Sequence, residues 1–156
     1  MAARVNSRAA EISADPPFAT TILVRDSCLC LHAQRAARAL ARRFDVALAP
    51  AGLTSGQFSL LMSLNRPEPP TVGSVATLLA MDRTTLTANL KPLQSRGYVK
   101  TTVDPDDRRA RRLHLTAAGR KVLASAVPIW TKLHATIETE LTDADQLRRE
   151  LNRLVG

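Results

Sequence analysis

Nowhere in the 156 residues do about twenty apolar residues follow one another, so no membrane-spanning helix is expected. Cysteine is scarce: Cys28 and Cys30 are the full complement, which excludes a disulfide framework. The opening run, MAARVNSRAAEISADPPF, has no continuous apolar core and does not read as a secretory signal. A reduced, cytoplasmic setting is expected. Aromatics are few, with three Phe, one Tyr and one Trp, so a basic helix held on a membrane by aromatic anchors is disfavoured. The six glycines form no phosphate-cradling loop. No paired acid/base carboxylates and no nucleophile–base constellation stand out, so neither catalysis nor a cofactor is expected.

Acid is also in deficit. Fourteen Asp/Glu face 22 Lys/Arg, giving a formal charge of +8 and a sequence pI near 10.7, which points to a polyanionic partner. The excess is concentrated: Asp82 to Lys121 holds ten Lys/Arg against four Asp/Glu. The chain is long enough for one real core and short for two.

Within that basic stretch, DRTTLTANLKPLQSRG reads as a short amphipathic helix with Asp82 as N-cap and Gly97 as its stop. Leu86, Leu90 and Leu93 recur at helical spacing and turn one face inward. Arg83, Thr84, Thr85, Thr87, Ala88 and Lys91 leave the rest small, polar or basic, as a helix entering the major groove requires. Pro92 lies inside this pattern and predicts either a kink near residues 88–91 or an end before Pro92. Two short strands follow, around a loop in which Asp104-Pro105-Asp106-Asp107 supplies turn chemistry. Arg108, Arg109, Arg111 and Arg112 come almost at once. So many guanidinium groups repel one another unless an anion is near, and a narrow minor groove supplies one. A solvated helix beside a charged hairpin is the bland alternative.

The run DRRARRLHLTAAG, Asp107 to Gly119, resembles the wing signature of MarR-type transcriptional regulators, D-x-R-x-x-x-L-x-L-T-x-x-G. The resemblance extends from about Cys30 to Leu154. It implies a mainly α fold with a small β-hairpin wing: a winged helix-turn-helix plus terminal dimerisation helices. It also implies that Asp107 and Arg109 are paired positions shaping the wing, and that neighbouring arginines enter the minor groove. Arg83, Thr84, Thr85, Thr87, Lys91, Arg108, Arg109 and Arg111 are the expected DNA-binding residues. The protein is then expected in the bacterial cytoplasm, associated with the nucleoid.

The order along the chain fits this outline. Residues 1–17 read as a flexible tail. One long helix, within residues 18–50, is expected from the stripe Ile22, Leu29, Ala33, Ala36, Leu40, Phe44 and Ala47. Residues 51–119 form the winged region, opened by a capping box at Thr54 and Gln57. Asn65 to Pro70 is a loop, Thr71 caps the next short helix, and Ala80-Met81 is a turn. Residues 120–156 are helical again, with Leu123, Val127, Trp130, Ile137 and Leu141, then Leu147, Leu151 and Leu154, on apolar seams. Apolar stripes left over at both ends imply a partner surface, and symmetric pairing is the common solution. A homodimer on a pseudo-palindromic duplex operator is expected, with half-sites about one turn apart.

For a signal, three readings stand open. A small organic effector could sit near His32, Arg35, Phe44, Phe58 and Met62, where the resemblance places such a site. Alternatively, Cys30 aligns with the reactive cysteine of the organic-hydroperoxide-sensing OhrR branch, with Phe44, Ser55 and Gln34 where that branch has tyrosines. Cys28 shares this redox reading, although two cysteines in an intact helix at this spacing point apart. Cys28 and His32, one turn apart, could also share a zinc ion, but no second ligand pair is visible and no metal is expected. Buried, inert cysteines and an effector-independent architectural DNA-binding protein complete the alternatives.

Overall fold

A computed structural model describes residues 15–155. Two compact units divide the chain between Arg38 and Ala39. The expected tail, residues 1–17, lies outside the described residues apart from 15–17, which are exposed and non-helical.

The first unit contains α1 (Phe18–Ser27) and the opening of α2 (Leu29–Leu48). The single long helix expected over residues 18–50 is therefore broken, at Cys28. Its backbone is extended there (φ −74°, ψ 106°), and its N–H closes α1 on the Val24 carbonyl. Thr20, Thr21, Ile22 and Val24 make α1 a weak helix former, since β-branched side chains lose rotamer freedom against the preceding turn. Cys28 then takes the N-cap place for α2: its Sγ accepts the Leu31 N–H at 3.4 Å.

In the second unit, a 3-10 turn (Ala49–Ala51) leads through Gly52, at φ +70°, to α3 (Ser55–Leu64). The Thr54–Gln57 capping box is formed in both directions. Next come α4 (Val72–Leu78), capped by Thr71, and α5 (Arg83–Ser95), capped by Asp82. Strands β1 (Val99–Val103) and β2 (Arg111–Leu115) pair antiparallel, Val99 opposite Leu115 and Val103 opposite Arg111. Helices α6 (Ala117–Glu138) and α7 (Ala144–Val155) complete the chain.

One core serves α3 to α6. Leu48, Leu60, Leu61, Val75, Leu86, Leu93 and Leu113 are its most buried large side chains. The three leucines predicted to face inward on α5 are all buried. Helix α5 runs unbroken through Pro92, so the alternative of a helix ending before it is not adopted. Beyond α5 the chain reverses on a two-bond C-cap: Gly97, at φ +71°, donates to Gln94 O, and Tyr98 donates to Leu93 O. The same pair of bonds ends α4, Ala80 N to Thr77 O and Met81 N to Ala76 O, although the left-handed residue here is alanine, at φ +50°.

Gly119 explains the last position of the wing signature. A Cβ there would lie 2.2 Å from the Tyr98 carbonyl oxygen and 2.9 Å from Leu115 Cδ1. Helix α6 can approach the base of the hairpin only because this residue has no side chain. Thr116 fixes the same corner, donating its hydroxyl to Gly97 O at 2.7 Å and accepting Gly119 N–H at 3.0 Å.

Candidate nucleic-acid interface

Helix α5 presents the face anticipated for it. Arg83, Thr84, Thr87, Ala88 and Lys91 are exposed and line a shallow concavity of about 350 Å³. Asp82 anchors the start, accepting Thr85 N–H at 2.8 Å and Thr85 Oγ1 at 2.6 Å. These bonds from Thr85 hold the Asp82 carboxyl below the usual carboxylate range. The Thr85 hydroxyl, one of the expected DNA contacts, is thus spent on the cap. Thr87 is turned back in a similar way, donating to the Arg83 carbonyl at 2.7 Å.

Across a cleft of about 680 Å³, Arg83 and Thr87 of α5 face Arg109 and Arg111 of the hairpin, with Asp106 and Asp107 on the same wall. Helix and wing therefore form one basic surface. The Arg83 guanidinium lies over Gly73 of α4, close enough that a Cβ at Gly73 would sit 3.2 Å from Nη2.

The wing arginines differ in what they do. Among the described residues, the Arg108 and Arg109 guanidinium groups have no hydrogen-bond partner. Arg111 folds back, Nη1 donating to the Arg108 carbonyl at 2.9 Å and the Ala110 carbonyl at 3.1 Å. Asp107 and Arg109 meet through the backbone: Asp107 Oδ1 accepts the Arg109 N–H at 2.9 Å.

The centre of the loop is a residue read from sequence only as turn chemistry. Asp104 is 5% exposed, and its Oδ1 accepts the N–H groups of Asp106 (2.9 Å) and Asp107 (3.3 Å). Its Oδ2 accepts Arg112 Nε at 2.6 Å. The Asp106 amide first, then the Arg112 guanidinium and the Asp107 amide, hold this carboxyl below the ordinary range. In the sequence the pair is marked only by an aspartate that opens the turn and an arginine eight residues on.

The residues considered for sensing are divided between the units. His32 and Arg35 are exposed in the first, where His32 Nδ1 lies 2.9 Å from the Cys28 carbonyl oxygen. Cys30 is exposed and accepts a hydrogen bond from Gln34 Nε2 at 3.2 Å. Because Cys28 sits at a helix break, the intact-helix geometry that held the two thiols apart does not apply. In the second unit, Phe44 is half-buried, Phe58 is buried and Met62 is exposed. Phe58 stacks with Trp130 (6.1 Å between centroids) and Trp130 with His134 (4.5 Å), an aromatic row not read from the sequence. Among the described residues no three His, Cys, Asp or Glu side chains are grouped to hold a metal ion.

Similarity to known proteins falls on this same architecture. The transcriptional regulator MosR of Mycobacterium tuberculosis, solved in complex with DNA, is 37% identical, with a TM-score of 0.76 over 82% of this chain and 93% of that one. The transcriptional repressor CouR bound to a 23-mer DNA duplex is 32% identical, with a TM-score of 0.69 over 84% of this chain and 92% of that one. CouR from Rhodococcus jostii RHA1 bound to p-coumaroyl-CoA has a TM-score of 0.72 over 83% and 93% of the two chains; at 23% identity, that is a likeness of fold alone. The regulator BilQ of Clostridioides difficile is 29% identical over 63% of this chain and 66% of its own. The chain spans 66% of the length of BilQ and 49% of that of the regulator TtmR of Methylorubrum extorquens. The MarR family model matches residues 51–110, from the turn before α3 into the wing loop. With the wing signature, the helix-turn-helix and a nearly full-length relative in agreement, the chain belongs to the MarR family of transcriptional regulators.

Proposed function

We propose that the protein is a dimeric, sequence-specific DNA-binding regulator, acting as a repressor, and that a small organic effector relieves it. The observation that carries this reading is the shared basic cleft, with Arg83 and Thr87 on one wall and Arg109 and Arg111 on the other. Helix α5 lies in the major groove, and the wing reaches the adjacent minor groove with Arg108 and Arg109. Arg83, Thr84 and Lys91 meet base edges and phosphates. Support for a DNA partner comes from MosR and CouR, both solved with DNA.

Dimerisation follows from apolar surface that one chain leaves uncovered. On α7, Leu147, Leu151, Leu154 and Val155 are all exposed, as are Phe18, Leu23 and Val24 on α1. The effector reading rests on the Phe58–Trp130–His134 row of stacked rings, and on the exposed Met62, one turn along α3. An effector releases DNA only in proportion to its preference for the DNA-incompatible state.

Fluorescence anisotropy on fragments of the gene's own upstream region tests the core of this. Affinity should fall steeply with salt, as phosphate neutralisation requires, and competitor DNA of random sequence should displace poorly. Binding that ignores salt, or that random DNA abolishes at equal concentration, would remove the sequence-specific reading and leave the architectural one. The exposure of the Cys30 thiol, held by a hydrogen bond from Gln34, favours a second reading, a thiol sensor, since oxidants reach exposed thiols first. In that case peroxide loosens operator binding by wild type and leaves the Cys30→Ser protein unaffected.

A further inference from the structure

Arg112 belongs by charge with the wing's other arginines, and its surroundings set it apart. Its Nε is bonded to Asp104 Oδ2 at 2.6 Å and its Nη1 to the Pro69 carbonyl at 3.2 Å. The side chain is 28% exposed and that of Asp104 5%. Next to it, Leu113 N–H donates to Pro70 O at 2.9 Å, and Thr71 forms an isolated antiparallel bridge with Arg112 itself. One carboxylate thus gathers the loop amides of Asp106 and Asp107, and one guanidinium ties that carboxylate to the segment that caps α4.

We propose that Asp104 and Arg112 are a positioning pair: Arg112 makes no DNA contact and fixes the angle at which the wing presents Arg108 and Arg109 beside α5. The proposal rests on the reading that the wing meets DNA. To reach a phosphate, Arg112 would have to leave a buried carboxylate without its charged partner, which a charge-assisted bond in this setting strongly opposes. The guanidinium fork spans two acceptors set apart in space, Asp104 and Pro69, and a lysine ammonium cannot reproduce that span. Because Thr71 is the N-cap of α4, the joint holds the wing and the helix-turn-helix in one hydrogen-bonded frame.

Anisotropy titrations over a salt series, on a bound fragment of the upstream region, separate the possibilities. Arg112→Lys and Arg112→Gln are both expected to weaken binding by about tenfold, with an unchanged slope of log affinity against log salt, because no phosphate contact is lost. Asp104→Asn should weaken binding to a similar degree even though it removes a negative charge, and the double variant should be little worse than either single one. Wild-type affinity in Arg112→Lys, with a slope reduced by about one in Arg112→Gln, would make Arg112 a phosphate contact and overturn the proposal. Stronger binding by Asp104→Asn would overturn it as well. Replacing Arg108 and Arg109 together by Gln tests the reading beneath: if the double variant changes neither affinity nor slope, the wing does not meet DNA, whatever Arg112 does. Amide exchange without DNA gives a second measure, should any variant bind too weakly to titrate. Asp106 and Asp107 should exchange faster in Arg112→Gln while Leu61 and Leu90 stay protected, and equal exchange at the loop would count against the pair.

Discussion

Asp104 shows how a single carboxylate organises a basic loop. Its lowered pKa in the folded state means that the ionised form stabilises the wing at any pH above the ordinary carboxylate value of 3.8 and ceases to as pH falls through the folded value. Protection of the Asp106 and Asp107 amides should therefore be constant from neutral pH to about 5 and decline only below about 4, measured by hydrogen exchange. A decline already under way near neutral pH would refute this role for the carboxylate. Gly119 is the other decisive residue. Gly119→Ala drives a methyl into the Tyr98 carbonyl and should cost roughly 1–3 kcal/mol of unfolding free energy in denaturant titrations. The sequence displayed this glycine as the end of a motif; only the approach of α6 to β1 supplies the reason.

At the scale of elements, most of what was readable in the chain was local. Thr54, Thr71 and Asp82 cap the helices they were expected to cap, because a side-chain oxygen meeting an amide two or three residues on needs nothing from the rest of the fold. Asp82→Ala should lower stability by about 1 kcal/mol, seen as a lower Tm, and should weaken DNA binding through fraying of α5. The break at Cys28 is not legible in the sequence because the apolar stripe continues across it; a sulfur serving as N-cap leaves no strong signature. The turn between α4 and α5 is legible at Ala80-Met81, yet its strain is hidden in an ordinary alanine. At φ +50°, Ala80 carries a left-handed penalty of about 1–2 kcal/mol, offset in part by its lower entropy when unfolded. Ala80→Gly is accordingly expected to raise stability by a few tenths to about 1 kcal/mol, and a clear loss in thermal unfolding would refute the strain.

Over the whole molecule, exposed leucines on α7 set the strongest expectation. Leu151 is 45% exposed, and Leu147 and Leu154 on the same helix are 43% and 68% exposed. Leu151→Asp should shift the protein toward monomer in light scattering and weaken binding to a two-half-site fragment far more than to a single half-site. A monomeric wild type would withdraw the pairing. Sequence alone determined the basic helix, its caps, its hairpin and the family it resembles, since each is written in neighbours a few residues apart: periodic leucines, cap residues, a run of arginines after a turn. Tertiary structure decided which arginines are free and which is tied down, why position 119 has no side chain, and which aromatic rings stack. Those outcomes depend on Pro69 reaching Arg112, Tyr98 reaching Gly119 and Phe58 reaching Trp130. Contacts between residues so far apart in the chain arise only from packing around a shared core.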